Sequence, residues 1–236
     1  MPRADGAAVA SRLDVIRLSA SAVEITGSSD DLTRARQEFA KSKCIVMADV
    51  LEPSVLNQVL GALASTAFRT RTHRGIGVET AAAEGPAIPL LDVLANRKTL
   101  FAIIEYIAGC SNIGMFEGRI YRLVPGTGHY DSWHDDLGFG REVAMSLNLS
   151  EHEFKGGELE IRDEHSRKVL CRTHNVRLGD ALLFRVADDL QHRVAPMTGT
   201  APKTAYAGWF RSGVTYGAAI RERSAMSRQP GPVVGF

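Results

Sequence analysis

The sequence predicts a mainly β chain with N-terminal helices, α+β in class, whose second half forms a closed or double-sheet antiparallel core of the jelly-roll kind. Three observations predict it. Apolar residues recur at helical spacing up to about residue 109. From about Gly114, short alternating segments separated by Gly, Pro and Asp replace them. At 236 residues, the chain has the length of one medium β-rich domain with a sizeable core. It therefore reads as a single domain, 1–236, with a helical N-terminal support region over 1–113, a β core over 114–212 and a C-terminal tail over 213–236.

Taken in order, Val15 to Leu18 and Val23 to Thr26 are short β-like pieces before the polar turn Gly27-Ser28-Ser29-Asp30. Asp30 or Asp31 then caps a helix through about Lys41, in which Leu32, Ala35 and Phe39 share a face. Cys44 to Met47 is a short apolar run. Glu52-Pro53-Ser54 opens a second helix to about Ala67, with Pro in the first turn where its missing N–H costs nothing. Residues 86–109 read as further helix, striped by Leu90, Leu91, Leu94, Phe101, Ile104 and Ile107. In the β half, Val143, Met145, Leu147 and Leu149 point one way, while Ala144, Ser146 and Asn148 point the other. Leu159 and Ile161 likewise alternate with charged residues. Gly156-Gly157, Gly179-Asp180 and Pro196 to Gly199 supply turns. From about Gly217 the chain reads as a mobile tail.

Composition excludes several classes. Hydrophobic residues make up 44% and charged residues 23%, as in an ordinary soluble globular protein. Lys+Arg 28 nearly balances Asp+Glu 27, and a net charge of +1 gives no electrostatic case for a nucleic-acid or anionic-membrane partner. No apolar run approaches the roughly 20 residues that span a bilayer, and Met1 to Gly6 lacks a secretory pattern, so a cytoplasmic location is expected. Cys44, Cys110 and Cys171 are odd in number and widely spaced, which argues against a disulfide framework or a thiolate zinc site.

The chemistry concentrates in Tyr130-Asp131-Ser132-Trp133-His134-Asp135-Asp136 and in His192. Two imidazoles and a carboxylate are the set that holds non-haem iron(II) on one face and leaves positions open. On an extended strand His134 and Asp136, at i and i+2, emerge on one side, and Asp135 points away. An isolated H-x-D is common by chance, so its context matters. Gly156-Gly157-Glu158-Leu159, Gly179-Asp180-Ala181-Leu182-Leu183-Phe184 and His192-Arg193-Val194-Ala195-Pro196 follow in that order, and Lys203 and Trp209 come after.

In these elements, over about residues 118–212, the sequence resembles the 2-oxoglutarate and iron(II)-dependent dioxygenases of the prolyl 4-hydroxylase-like branch. A weaker likeness covers about 32 to 67. The resemblance implies a double-stranded β-helix core over 114–212. It makes His134, Asp136 and His192 the catalytic iron ligands and Lys203 the partner of the far carboxylate of 2-oxoglutarate. Lys203 lies one residue farther past His192 than in many relatives, while its interval to Trp209 matches, which reads as one inserted residue in the turn Thr198 to Pro202. Arg193 and Arg211 are the substitutes for Lys203. Tyr121 and Tyr130 precede the H-x-D, and the resemblance offers one of them to the same carboxylate. The implied cofactors are Fe(II), 2-oxoglutarate and O2, with ascorbate as a stimulatory reductant.

The implied reaction is hydroxylation of an unactivated C–H bond, with succinate and CO2 as co-products. Related halogenases replace the carboxylate ligand with Gly or Ala, so Asp136 favours hydroxylation. The expected substrate is a small molecule, such as a free or carrier-bound amino acid or a natural-product intermediate. A peptidyl hydroxylase acting on a partner protein and a non-catalytic, cupin-like metal binder are the alternatives. Candidate substrate contacts are Phe139 and Arg141, in the Gly-rich segment Leu137 to Arg141, and Arg71, in the basic run Phe68 to Arg74. Oligomeric state stays open, a homodimer included.

Overall fold

The computed structural model describes residues 7–173 and 176–226, with side chains to residue 222. The N-terminal part contains β1 (Ala8–Val9), β2 (Arg12–Leu13), β3 (Ile16–Leu18), β4 (Val23–Ile25), α1 (Ser29–Ser42), β5 (Cys44–Met47) and α2 (Pro53–Ala64). It continues through β6 (Phe68–His73), β7 (Gly77–Ala82), α3 (Ala87–Ala95) and α4 (Lys98–Ala108). The remainder is β8 (Ile113–Leu123), β9 (Tyr130–Asp131), β10 (Arg141–Asn148), β11 (Leu159–Asp163), β12 (Val169–Arg172), β13 (Ala181–Arg185), β14 (Leu190–Val194), β15 (Lys203–Ser212) and α5 (Tyr216–Met226).

Two sheets face each other. The larger runs β2-β5-β13-β10-β15-β8-β7-β6, with β9 paired on β7, and the smaller runs β1-β12-β11-β14. All the long pairings are antiparallel, so each strand alternates one face toward the other sheet and one face outward. This is the jelly-roll, or double-stranded β-helix, architecture expected. Two short parallel pairings add to it: β1 lies along β12 and β2 along β5. The segment 8–13 therefore crosses from one sheet to the other.

The alternation in Val143 to Leu149 decides which side is which. Val143, Met145 and Leu147 join the outer core with Phe39 of α1, Val59 of α2, Leu91 of α3 and Ile104 of α4. Each such fully buried side chain contributes roughly 1.5–3 kcal/mol. Ala144 faces inward, packing with Leu159, Ile161 and Phe184 between the sheets. The helices are thus a backing for the larger sheet, and the space between the sheets is left for a site.

Several local expectations are corrected. The α1 cap is Ser28, not Asp30 or Asp31: its hydroxyl accepts from the Asp31 N–H at 3.2 Å, and the Asp31 carboxylate accepts from the Ser28 N–H at 3.0 Å. Helix α2 stops short of Ala67 because the Thr66 hydroxyl takes the Ala62 carbonyl at 2.9 Å. The stretch 86–109 is two helices rather than one. Asn96 breaks it, donating to Phe116 O at 3.0 Å and accepting from Phe116 N at 2.7 Å, so its amide pairs with β8. Residues 1–113 are not helical support alone. They also contribute β2, β5, β6 and β7 to the larger sheet and β1 to the smaller. The tail expected from Gly217 instead begins as α5, in a run rich in the helix formers Ala, Arg and Glu. Residues 227–236 and Met1–Gly6 lie outside the described residues. The three cysteines are free, and no helix among the described residues is long and apolar enough to cross a membrane.

Candidate active site

Strand β14 ends the smaller sheet and carries His192, whose neighbour on its open side is the segment after β9. His134 and His192 exchange backbone hydrogen bonds, N–H to O, at 3.0 and 2.8 Å. That single bridge fixes the two rings 4.3 Å apart. The expected regular strand under His134 and Asp136 is absent: Asp136 has φ +59°, in the left-handed region that Asp tolerates better than most residues. The left-handed turn, not strand alternation, brings its carboxylate to the imidazoles. Asp135 does point away, capping the Leu137 N–H at 3.0 Å.

Asp136 Oδ2 is 3.2 Å from His192 Nε2 and 3.5 Å from His134 Nε2, and Trp209 Nε1 donates to it at 2.9 Å. All three candidate ligand atoms lie within 4.8 Å of one another. His134 Nδ1 meets Ser132 O at 2.7 Å. A carbonyl can only accept, so Nδ1 carries a proton, and Nε2, which faces Asp136, is the nitrogen at which a metal would take the place of a proton. Asp131 Oδ1 stands 3.6 Å from the same Nδ1, and Oδ2 accepts from the Val194 N–H at 3.0 Å.

The electrostatics match an ion site. Burial opposes the Asp136 charge, but hydrogen bonds to His134 and His192 overcome it and hold the carboxyl well below its usual range. Burial likewise opposes a proton on His134, yet Asp136 and Asp131 outweigh it and raise that imidazole to about 9. Asp131, by contrast, is pushed up chiefly by burial. Two carboxylates therefore stabilise positive charge at His134, which is the charge a metal cation supplies.

Lys203 opens β15 and is 4% exposed. Its Nζ donates to Gly157 O at 2.6 Å, and no carboxylate among the described residues lies within ion-pair distance. Burial accordingly pushes this ammonium down to about 8. Gly157 has φ +73°, and a Cβ there would stand 2.7 Å from Met197 Sδ and 3.1 Å from Lys203 Cδ. The Gly-Gly turn is thus the seat on which the lysine rests. An underpaired buried cation fits an incoming carboxylate, and the donor set of two imidazoles and one carboxylate fits Fe(II).

One cavity of about 120 Å³ joins these groups, bounded by His134, Asp136, His192, Lys203, Tyr121 and Trp209. Of the two tyrosines, Tyr121 is buried in the wall, and burial raises its hydroxyl far above its ordinary value. Tyr130 is 45% exposed and stands at the rim. Arg193 binds the buried Glu160 at 2.7 Å, and Arg211 binds Glu117 at 2.6 Å, so neither substitutes for Lys203.

The three expected substrate contacts do not line the cavity. Arg71 is exposed on β6, the edge strand of the larger sheet. Phe139 is 74% exposed, because the turn places it in a left-handed conformation that turns its ring outward. Arg141 stacks on Trp209, its guanidinium carbon 3.8 Å from the ring centre. In their place the cavity wall holds Arg119, Glu79 and His73, which the sequence reading passed over. Arg119 precedes Tyr121 by two on β8, so strand periodicity placed it on the same wall; Glu79 and His73 carried no such signal.

Residues 118–211 match the 2OG-Fe(II) oxygenase superfamily. No curated protein matches the chain. Among solved structures, a 2OG-Fe(II) oxygenase family oxidoreductase from Burkholderia pseudomallei is 12% identical, with TM-score 0.61, over 83% of this chain and 95% of that one. A Pseudomonas putida prolyl-4-hydroxylase is 16% identical, with TM-score 0.57, over 78% and 100%. The non-heme alpha ketoglutarate dependent epimerase SnoN from nogalamycin biosynthesis is 13% identical, with TM-score 0.57, over 78% and 84%. The likeness in fold, the matched segment from β8 to β15 and the ligand-type cluster at the cavity agree with one another, and together they support a 2-oxoglutarate-dependent oxygenase using Fe(II), 2-oxoglutarate and O2.

Proposed function

We propose that the protein hydroxylates an unactivated C–H bond of a small molecule, with His134, Asp136 and His192 as the iron ligands. The observation that carries this reading is the convergence of that triad and an underpaired buried lysine on one small cavity. Fe(II), when bound, supplies the oxidising chemistry: 2-oxoglutarate and O2 are consumed, succinate and CO2 leave, and the second oxygen atom becomes the product hydroxyl.

The chain's own groups bind, orient and exclude. Lys203 pairs the far carboxylate of the cosubstrate, and the small side chains of Ala205 and Ala207 along β15 leave it room. Tyr121 stands opposite Ala205 on the neighbouring strand and lines the same cavity. Trp209 holds Asp136 from behind, and Ser132 with Asp131 holds His134, so the ligands keep their orientation before any ion arrives. Leu159, Leu182 and Phe184 keep the floor dry, which directs oxidation to the substrate rather than to water-exposed groups.

A small substrate is favoured over a peptide because Arg119, paired with Glu79 through one edge only, stands on the cavity wall beside Trp209, where an internal peptide residue would bring no anion to the other edge of the guanidinium. The test is succinate release from 2-oxoglutarate with Fe(II), O2 and ascorbate, screened against amino acids and short peptides. Stimulation by a small molecule is expected. Stimulation by peptides alone would replace this reading with the peptidyl one, and no succinate under any condition would overturn both.

A further inference from the structure

Resting on the hydroxylase reading above, we propose that Arg119, clamped by Glu79, binds a carboxylate of the substrate, so that the substrate is itself a free acid. Arg119 Nε donates to Glu79 Oε1 at 2.8 Å and Nη2 to Oε2 at 3.3 Å, so the side edge of the guanidinium is occupied. Glu79 is 7% exposed, and its Oε1 also meets His73 Nε2 at 3.2 Å. The Glu79 charge is therefore already matched by Arg119, which leaves the guanidinium's other edge as the stronger anchor for a charged substrate group.

The other edge of the guanidinium is different. Arg119 Nη1 has no hydrogen bond among the described residues, and Arg119 lines the cavity. Tyr121 and Trp209 stand on its flanks, their ring centres 5.9 and 5.7 Å from the guanidinium carbon. The free Nη1/Nη2 edge is a two-donor fork in a flat slot. Its geometric complement is a planar carboxylate, which accepts two parallel N–H bonds, whereas a single carbonyl would satisfy only one.

The cosubstrate does not occupy this fork. Lys203 pairs across the sheet with Leu123, Ala205 with Tyr121 and Ala207 with Arg119. The two cations thus sit on rungs four residues apart along the strands, on the order of 13 Å between backbones. Lys203 lies at one end, while Arg119 lies at the end where Trp209 contacts Asp136. Two cations set this far apart along one wall call for two acids, the cosubstrate at Lys203 and the substrate at Arg119. A clamped arginine also loses little side-chain freedom on binding, since its partner already fixes it.

The test loads the wild-type protein with Mn(II) and 2-oxoglutarate without oxygen and titrates straight-chain monocarboxylic acids and L-amino acids, each beside its primary amide, by calorimetry. At least one acid is expected to bind tenfold or more tightly than its amide. In Arg119→Gln that preference falls by ~10–100-fold, as for loss of hydrogen bonds to a charged group, while the amide's affinity does not follow it. Arg119→Lys, which keeps the charge and loses the fork, falls between. Equal binding of acids and amides by the wild type, a preference retained in Arg119→Gln, or no binding by any acid would each overturn the proposal. The wild-type comparison needs no variant to fold. Binding of Mn(II) and 2-oxoglutarate, with succinate release by the wild-type protein, tests the hydroxylase reading separately.

Discussion

Replacing Lys203 with Met should make the ligand-free protein more stable and its cosubstrate bind more weakly. Burial lowers this ammonium from 10.5 to about 8, and at 1.36 kcal/mol per tenfold change in proton affinity that is about 3 kcal/mol of unfavourable charge burial at neutral pH. Losing the bond to Gly157 O gives back about 1 kcal/mol. The net gain is about 2 kcal/mol, or roughly 4–8 °C in Tm for a chain of this size. Cosubstrate binding moves the other way, because a carboxylate buried without its cation costs about 3–5 kcal/mol, two to three orders of magnitude or more in Kd.

The pH dependence has a definite sign. Between about 8 and 10.5 the unfolded chain holds the lysine proton and the ligand-free folded chain does not, so wild-type stability rises with pH across that window. Below about 8 the folded lysine is charged and ready for a carboxylate. Above it, 2-oxoglutarate must bring a proton in, and its Kd rises about tenfold per pH unit. Calorimetric melting with anaerobic 2-oxoglutarate titration from pH 7 to 10 measures both. A Lys203→Met protein that melts lower and binds 2-oxoglutarate as tightly as the wild type would refute the assignment.

Other outcomes follow from the same geometry. Asp136→Ala should abolish hydroxylation and cut Mn(II) affinity by more than the roughly 10–100-fold that outer partners are worth, read by equilibrium dialysis; unchanged metal binding would remove Asp136 from the ligand set. Asp131→Asn, which keeps the shape but not the charge beside His134 Nδ1, should weaken metal binding by about 10–100-fold, and an affinity within twofold of wild type would show that Ser132 suffices. Phe210→Ala should cost about 3–5 kcal/mol in denaturant unfolding, since the ring is 1% exposed and packs against Phe101 and Phe116 with centres 6.1 and 4.8 Å away; a loss under 1 kcal/mol would mean that the outer core collapses around the gap.

What could be read from the residue order was local. Alternation in Val143 to Leu149 set Val143 and Met145 on one face and Ala144 on the other, because one strand's side chains obey a period of two wherever the strand sits; that the first face is helix-backed and the second inner is visible only in the fold. The H-x-D, Gly-Gly, Gly-Asp and His192 elements were legible because each sits at a turn or strand end that restricts residue type. The left-handed Asp136 was not, since its conformation depends on the turn through Gly140. Nor was the split at Asn96, whose amide finds its partner on β8, or the Arg119–Glu79 pair, whose members lie on neighbouring strands with no fixed spacing. Phe139 and Arg141 lie near His134 and Asp136 in sequence, but the left-handed turn directs Phe139 to solvent and stacks Arg141 on Trp209.

The N-terminal segment that lies along both β12 and β5 guards two otherwise open strand borders at once. Bare borders of that kind recruit strands from other molecules. Deleting residues 1–14 should therefore favour self-association over simple loosening, visible as concentration-dependent light scattering while the triad still takes up Mn(II); a truncated chain that stays monomeric would show the guard to be dispensable.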